Sequence, residues 1–134
     1  MASTENVPVV LVHGWGGSFR ETWQKPGIDA LLADVGRNPV GLDLLGHADQ
    51  DKPHDPAAYV ELPSWLLDHL PEDPVVDAVG FSLGALTILR ALIAAPHRFG
   101  KVVLSGIGDG VFTMSPPDGN KRIIDALEGR APED

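Results

Sequence analysis

Four short apolar runs, each rich in branched side chains and bounded by glycine, alternate with longer helical stretches along this chain. The runs cover residues 7–12, 40–44, 75–81 and 101–107. Apolar runs of this length without polar alternation are typical of strands buried on both faces, as in a parallel sheet. A repeated order of strand, helix and strand places helices on both faces of such a sheet. The sequence therefore predicts a three-layer α/β fold.

Helices are predicted between these strands. Ser18 and Glu21 have the spacing of a capping box and indicate a helix start, and a Lys-Pro-Gly break separates that segment from a second one over residues 28–36. A further helix is expected over residues 56–70, with a kink at Pro63. Residues 82–95 are apolar nearly all round, which is typical of a helix packed on a sheet.

Composition narrows the classes of function. The 134 residues correspond to one domain. Ten basic residues against nineteen acidic ones, a net charge of -9, disfavour a nucleic-acid or anionic membrane surface. The chain has no cysteine, which excludes disulfides, thiol catalysis and thiolate metal sites. Neither a signal peptide nor a membrane span is recognised in the sequence, so a cytoplasmic location is expected.

The stretch "VGFSLGAL", residues 79–86, places a serine between two glycines at the junction of a predicted strand and a predicted helix. The pattern Gly-x-Ser-x-Gly in this context is typical of a nucleophile elbow, a sharp turn that raises the serine hydroxyl above the carboxyl ends of the strands. Gly80 and Gly84 would remove the Cβ atoms that clash in so sharp a turn. Ser82 is therefore predicted to be a nucleophile; the alternative is that it only caps the helix.

The stretch "LVHGWGGS" follows the first predicted strand. Acyl transfer needs two backbone N–H groups aimed at the oxyanion that develops on the carbonyl oxygen. We expect one from Leu83, which follows the nucleophile, and the other from Trp15, which follows the His-Gly pair. Gly14 and the glycines at positions 16 and 17 would let this loop approach the elbow closely.

Three segments, "VVLVHGWGGS", "GLDLLGHADQDKP" and "VDAVGFSLGALTILRALIAAPHRFGKVVLSG", together resemble the first half of an alpha/beta-hydrolase-fold enzyme. The resemblance covers residues 7 to about 112 and implies the spatial strand order 40–44, 7–12, 75–81, 101–107. It is closest to the cofactor-free esterase, acyl-hydrolase and C–C-hydrolase branches. Dehalogenases and epoxide hydrolases carry an aspartate at the position of Ser82 and are disfavoured.

The resemblance also implies a triad in the order Ser, acid, His, whose last two members follow later strands than this chain contains. None of the five histidines is expected to replace the missing one, since each is interpreted more simply as structural or solvated. By resemblance His13 braces the oxyanion loop, and His47 occupies a structural position after the second strand. His54 and His69 are expected near or on an outer helix, and His97 in a turn opposite the site.

The acid of a triad has one candidate in the sequence. Asp109 follows the last predicted strand, where some relatives carry their acid; the alternative is a turn aspartate in "GIGDG" at the start of a cap segment. Asp43 is expected to brace a loop, and Asp77 to be a strand residue near the elbow. Neither makes a triad alone.

The combined expectation is the N-terminal half of an alpha/beta-hydrolase core over residues 1–112 and the start of a truncated cap over residues 113–134, with a helix around residues 121–127. The implied function is hydrolysis of an ester, thioester or related carbonyl substrate through a serine, without cofactor or metal. Two alternatives stay open: a non-catalytic binding module, and a half-enzyme completed by another chain. Self-association or complementation is expected through the strand edge at residues 101–107.

Overall fold

A computed structural model of the chain describes residues 7–112 and 125–130. Its centre is a parallel sheet of four strands in the spatial order β2, β1, β3, β4. The predicted strand order is therefore confirmed. The strands are β1 (Pro8–Val12), β2 (Asn38–Leu42), β3 (Val76–Phe81) and β4 (Phe99–Ser105).

Helices cover both faces of the sheet, so the predicted three-layer arrangement is confirmed as well. Helices α3 and α4 pack on one face, and helix α1 with a preceding π-helical turn packs on the other. The helices are α1 (Ile28–Asp34), α2 (Ala57–Val60), α3 (Leu62–His69) and α4 (Leu83–Ala94), the π turn is Arg20–Gln24, and short 3-10 turns cover Pro96–Arg98 and Asp109–Phe112.

Strand β1 lies in the middle of both cores, and all five of its residues are buried. Val10 and Val12 face the core formed with α3 and α4, where Ile88 is fully buried. Leu11 faces the opposite core and packs with Trp23 of the π turn. Burying each of these side chains contributes about 1.5–3 kcal/mol, so the β1 run is the main apolar anchor of the sheet.

Strands β2 and β4 each begin and end two residues earlier than predicted. β4 begins at Phe99 because this side chain is buried in the core, and it ends at Ser105 because Gly106 adopts a φ of 75° that leaves the strand region. β2 includes Pro39, which lies before the predicted start of this strand at residue 40. Proline is accepted there because β2 pairs with only β1 among the described strands, and an edge strand tolerates a residue without an N–H.

The helix predicted over residues 56–70 is two helices rather than one kinked helix. The break lies at Glu61, and Pro63 occupies the first turn of α3 instead of a helix interior. Proline has no N–H to donate to the carbonyl of Tyr59, and its ring would crowd that carbonyl, so one continuous helix is disfavoured.

The segment after Ser18 also differs from a regular α-helix. The Glu21 N–H donates to Ser18 Oγ at 3.1 Å, as in the predicted capping box. The following turn is π-helical, with the Lys25 N–H donating to the Arg20 carbonyl five residues back at 2.8 Å. Capping spacing fixes where such a segment begins, but it carries no signal for the width of the turn.

The proposed cap segment lies mostly outside the described residues. Of the helix expected around residues 121–127, the structure describes residues 125–127, which are helical. The division into a core over residues 1–112 and a cap over residues 113–134 stays a prediction. In the described ranges no helix is long and apolar enough to cross a membrane.

Asp77 of β3 binds β4 and the residue before β2 at the amino end of the sheet. Its Oδ1 accepts the Lys101 N–H at 2.7 Å, at an irregularity in the pairing of β3 with β4, and its Oδ2 accepts a hydrogen bond from the Arg37 guanidinium at 2.5 Å. The expectation that Asp77 lies near the elbow is wrong, because it is the second residue of β3 and the elbow follows the last. Its role is to hold β4 and the residue before β2 to the central strands.

Replacing Asp77 with Ala should lower the free energy of unfolding by about 1–3 kcal/mol, because the Lys101 amide and the Arg37 guanidinium lose their shared acceptor. Urea unfolding followed by circular dichroism measures the change. Asp34→Ala, at an exposed position of α1, is the control and should leave the unfolding midpoint unchanged. Equal midpoints for the two variants would contradict the role assigned to Asp77.

Candidate active site

Ser82 lies between the last residue of β3 and the first residue of α4, at φ 54° and ψ −112°. A positive φ at a non-glycine residue costs on the order of 1–3 kcal/mol and persists only where the surrounding structure enforces it. The Ser82 N–H donates to the Ser105 carbonyl at 2.8 Å, and its own carbonyl accepts the Leu86 N–H at 3.0 Å. The sharp strand-to-helix turn predicted for this serine is therefore present.

The glycines on either side of Ser82 permit this turn. A Cβ on Gly84 would lie 2.5 Å from the His13 carbonyl oxygen and closer still to that of Val12. A Cβ on Gly80 would lie 2.7 Å from the Ala85 nitrogen. All three obstacles are backbone atoms, which cannot rotate away as a side chain can, so both positions require glycine.

The loop after β1 lies against the elbow. A Cβ on Gly14 would lie 3.4 Å from the Ser82 Cβ and 3.3 Å from the Phe81 carbonyl oxygen. Trp15 follows in this loop and is 64% exposed. Within the described part of the chain, neither the Trp15 N–H nor the Leu83 N–H donates a hydrogen bond. Two amide N–H groups near the elbow therefore have no acceptor among the described residues. Leu83 follows Ser82 in sequence, and Trp15 belongs to the adjoining loop.

His13 is fully buried beneath this loop, and both of its ring nitrogens have backbone partners. Nδ1 lies 2.7 Å from the Gly14 carbonyl oxygen, which can only accept, and Nε2 lies 3.0 Å from the Leu44 nitrogen, whose N–H can only donate. Nδ1 therefore carries the proton and Nε2 is the acceptor. Burial lowers the pKa of His13 and favours this neutral form, although the Gly14 hydrogen bond acts in the opposite direction.

His47 is bound in the same way from the opposite loop. Its Nε2 accepts the Gly16 N–H at 2.9 Å, and its Nδ1–H donates to the Leu45 carbonyl at 3.1 Å. The rings of His13 and His47 meet edge to face, with centroids 4.9 Å apart. Sequence reasoning could not find the contact of His47 with Gly16, because it joins residues 31 positions apart and follows no local spacing.

The other three histidines lie away from the elbow. His69 stacks on Trp65 with ring centroids 4.0 Å apart and donates to its carbonyl, while His54 and His97 are exposed. No hydrogen bond joins Ser82 to a histidine anywhere in residues 7–112, which contain all five. These positions agree with the structural or solvated environments expected from the sequence.

The aspartates named from the sequence lie on different parts of the fold. Asp43 Oδ1 accepts the Phe19 N–H at 2.9 Å, so it braces the segment after the loop that follows β1, as expected. Asp109 is exposed and begins the 3-10 turn that follows β4. This position suits the turn interpretation of Asp109, and its role as a triad acid stays a prediction.

A cavity of about 500 Å³ opens beside the elbow. Aromatic and aliphatic side chains form most of its wall, and the imidazole of His47 adds a polar group to the lining. The cavity is lined by Trp15, Gly16, Gly46, His47, Tyr59, Leu62 and Leu83. Tyr59 and Leu62 reach it from α2 and α3, and the sequence could not have assigned them, because their place depends on how those helices fold back over the sheet.

A sequence model of the alpha/beta hydrolase fold family matches residues 7–128. Because the match extends over most of the chain and the fold and elbow agree with it, this chain belongs to the alpha/beta hydrolase fold family.

Solved structures extend the comparison. The chain resembles 2-hydroxy-6-oxo-6-phenylhexa-2,4-dienoate hydrolase from Rhodococcus sp. strain RHA1 with a TM-score of 0.67 and 24% identity, over 96% of this chain and 48% of that one. It resembles alpha/beta hydrolase domain-containing protein 10 from mouse with a TM-score of 0.66 and 19% identity, over 96% of this chain and 52% of that one. It also resembles a laboratory-evolved variant of a potato epoxide hydrolase with a TM-score of 0.66 and 22% identity, over 92% of this chain and 40% of that one. At these identities the likeness shows the fold alone, and the chain spans about half the length of the structures it matches.

Replacing Gly84 with Ala should destabilise the fold by about 1–3 kcal/mol or more, because the new methyl group meets the carbonyls of Val12 and His13. Thermal unfolding measures the loss. Gly108→Ala is the matched control, since a Cβ there meets nothing within 4 Å and the backbone lies outside the left-handed region. If Gly84→Ala proved as stable as Gly108→Ala, the close approach of α4 to β1 would be refuted.

Proposed function

We propose that this chain carries the nucleophile and the oxyanion hole of a serine hydrolase that acts on an ester, thioester or related carbonyl substrate. The observation that carries the proposal is the strained backbone of Ser82 together with the loop of Gly14, where an added Cβ would lie 3.4 Å from the Ser82 Cβ. A serine that only capped a helix would not need a positive φ or two flanking glycines.

In the proposed reaction, Ser82 Oγ attacks the carbonyl carbon and its proton passes to a base. The carbonyl oxygen becomes an oxyanion, and the free N–H groups of Leu83 and Trp15 donate hydrogen bonds to it. Leu83 is the first residue of α4, so the positive end of the helix dipole adds to this stabilisation. The alcohol or thiol of the substrate then leaves with a proton from the base, and water releases the acyl group.

The base must come from outside the five histidines of this chain. His13 and His47 both use Nδ1 as a donor and Nε2 as an acceptor to backbone groups, so neither has a free lone pair for the Ser82 proton. We therefore propose that the base lies on a longer form of this protein or on a second chain. The first case is a longer serine hydrolase of which this chain is the N-terminal half, and the second is a half-enzyme completed by another chain. The two cases differ only in where the base is encoded.

The cavity beside the elbow suits an apolar substituent of the substrate. Trp15, Tyr59, Leu62 and Leu83 contribute apolar surface, and their burial against a hydrocarbon or aromatic group would favour binding. A second candidate function, a non-catalytic binding module, draws on the same cavity and on the absence of a serine–histidine hydrogen bond in residues 7–112.

A fluorophosphonate probe separates the two candidates. The chain alone should react slowly, because the hydroxyl of Ser82 has no base, and millimolar imidazole should accelerate the reaction by accepting the proton. Ser82→Ala should abolish labelling with and without imidazole, and Ser64→Ala, at an exposed serine of α3, should leave it unchanged. Labelling that survives Ser82→Ala, or an imidazole effect that is absent, would favour the binding module. Rapid labelling without imidazole would make His13 or His47 the base.

We also propose that the chain self-associates through β4. Among the described strands β4 pairs only with β3, and Val103 on this strand is 56% exposed. An edge with unpaired backbone groups beside an apolar side chain is a template for pairing with a second strand.

Sedimentation velocity at tens of micromolar should therefore show dimers or larger species. Val103→Lys should shift the distribution towards monomer, because a charge on an edge strand opposes pairing. Val60→Lys, at a valine of α2 that is 72% exposed, should not. A monomeric chain, or equal effects of the two substitutions, would refute pairing through β4.

A further inference from the structure

The loops that follow β1 and β2 are joined by a reciprocal pair of histidines, which we call the histidine clasp. His13 belongs to the first loop and accepts the N–H of Leu44 in the second. His47 belongs to the second loop and accepts the N–H of Gly16 in the first. The remaining nitrogen of each ring donates to a carbonyl of its own loop, and the two rings are in edge-to-face contact. Each loop therefore depends on the other for its anchorage.

The clasp acts on both peptide groups of Trp15. The peptide group that joins Gly14 to Trp15 contains the Trp15 N–H, and its carbonyl accepts from His13 Nδ1–H and from the Gly17 N–H at 3.1 Å. The peptide group that joins Trp15 to Gly16 is held by His47 Nε2. Gly16 has a φ of 76°, and a glycine on a loop has wide conformational freedom, so the direction of the Trp15 N–H is fixed by these contacts.

We propose that His47 is a positioning residue that holds the oxyanion loop through Gly16 only while its ring is neutral, so that protonation of Nε2 releases the loop. A proton on Nε2 occupies the lone pair that accepts the Gly16 N–H, and two donors then face each other. The inference rests on the proposed function in one respect, namely that the N–H held in place belongs to the oxyanion hole.

Charged and titratable groups lie near His47 on each element around it. His13 faces it from the loop after β1, Asp43 lies at the end of β2, Tyr59 faces the shared cavity from α2, and Lys52 lies on the same loop as His47. The pKa of His13 is lowered chiefly by burial and further by repulsion from His47, so the two rings resist being protonated together. His47 lines the open cavity, whereas His13 is fully buried, so solvent contacts the ring of His47.

Protonation of His13 would have a different consequence. Because folding lowers the pKa of His13 below its ordinary value of 6.5, its contribution to stability is present above that value and is lost as the pH falls. Protonation of His13 therefore opposes the whole fold, whereas protonation of His47 releases one loop. The two events are distinguishable by following a loop amide and a core signal in the same sample.

Nuclear magnetic resonance of the 134-residue chain between about pH 5 and 8, where imidazole side chains generally change charge, tests the proposal. The Gly16 amide should shift along a single sigmoid that coincides with the titration of the His47 ring nitrogens, while the methyl signals of Ile88 in the core stay constant. His47→Gln should abolish this shift and keep the Gly16 amide near its neutral-pH position, because the glutamine carbonyl accepts the N–H and does not titrate. His69→Gln, at the exposed ring on α3, is the matched control and should titrate like the wild type.

Titration of His47 without a change at Gly16, or a His47→Gln variant that still shows the sigmoid, would overturn the proposal. If His47→Gln does not fold, the tautomer of the wild-type His47 ring, measured from its nitrogen shifts at neutral pH, provides the test. A proton on His47 Nδ1 with a bare Nε2 is the predicted state, and the opposite tautomer contradicts it. None of these measurements needs catalysis, so they stand apart from fluorophosphonate labelling, which tests Ser82.

Discussion

The close approach of helix α4 to the carboxyl end of β1 is the constraint on which the rest of this structure depends. The first turn of α4 touches the carbonyls of Val12 and His13, and only a residue without a Cβ fits there. This contact sets the direction in which the chain leaves β3, and Ser82 absorbs the cost in its positive φ. Because all four strands are parallel, the loops after β1 and β2 lie with Ser82 at the carboxyl ends of the strands. As a result, Ser82 lies above the carboxyl ends of the strands, beside the loops that follow β1 and β2.

The histidines illustrate how the role of a residue follows from its partners rather than from its type. A histidine near a candidate serine suggests a base, yet both ring nitrogens of His13 and of His47 are hydrogen-bonded to backbone groups. They stabilise the loop that would bind the oxyanion in the proposed reaction, and neither has a lone pair free for the proton of Ser82. In the proposed reaction, positioning of the loop and proton transfer are therefore separate tasks, and His13 and His47 serve only the first.

Local patterns predicted the parts of the fold that local physics decides. The four apolar runs indicated the strands, and the glycines around Ser82 indicated the turn, because both depend on a few adjacent residues. The strand order came from the resemblance to a family. The two-residue offset of β4, the π turn after Phe19 and the break at Glu61 depend on packing that no short window records. The contacts of Asp77 with Arg37 and of His47 with Gly16 join distant segments, and one sequence carries no signal for them.

The central claim is that Ser82, Leu83 and Trp15 form one oxyanion-binding unit. Its most direct test is to phosphonylate the chain in the presence of imidazole and compare backbone amide proton shifts before and after the reaction. An anionic phosphonyl oxygen bound to Ser82 should move the Leu83 and Trp15 amide protons downfield together, because both donate to it. A phosphonyl group on Ser82 that moves the Leu83 amide and leaves Trp15 unchanged would contradict the account.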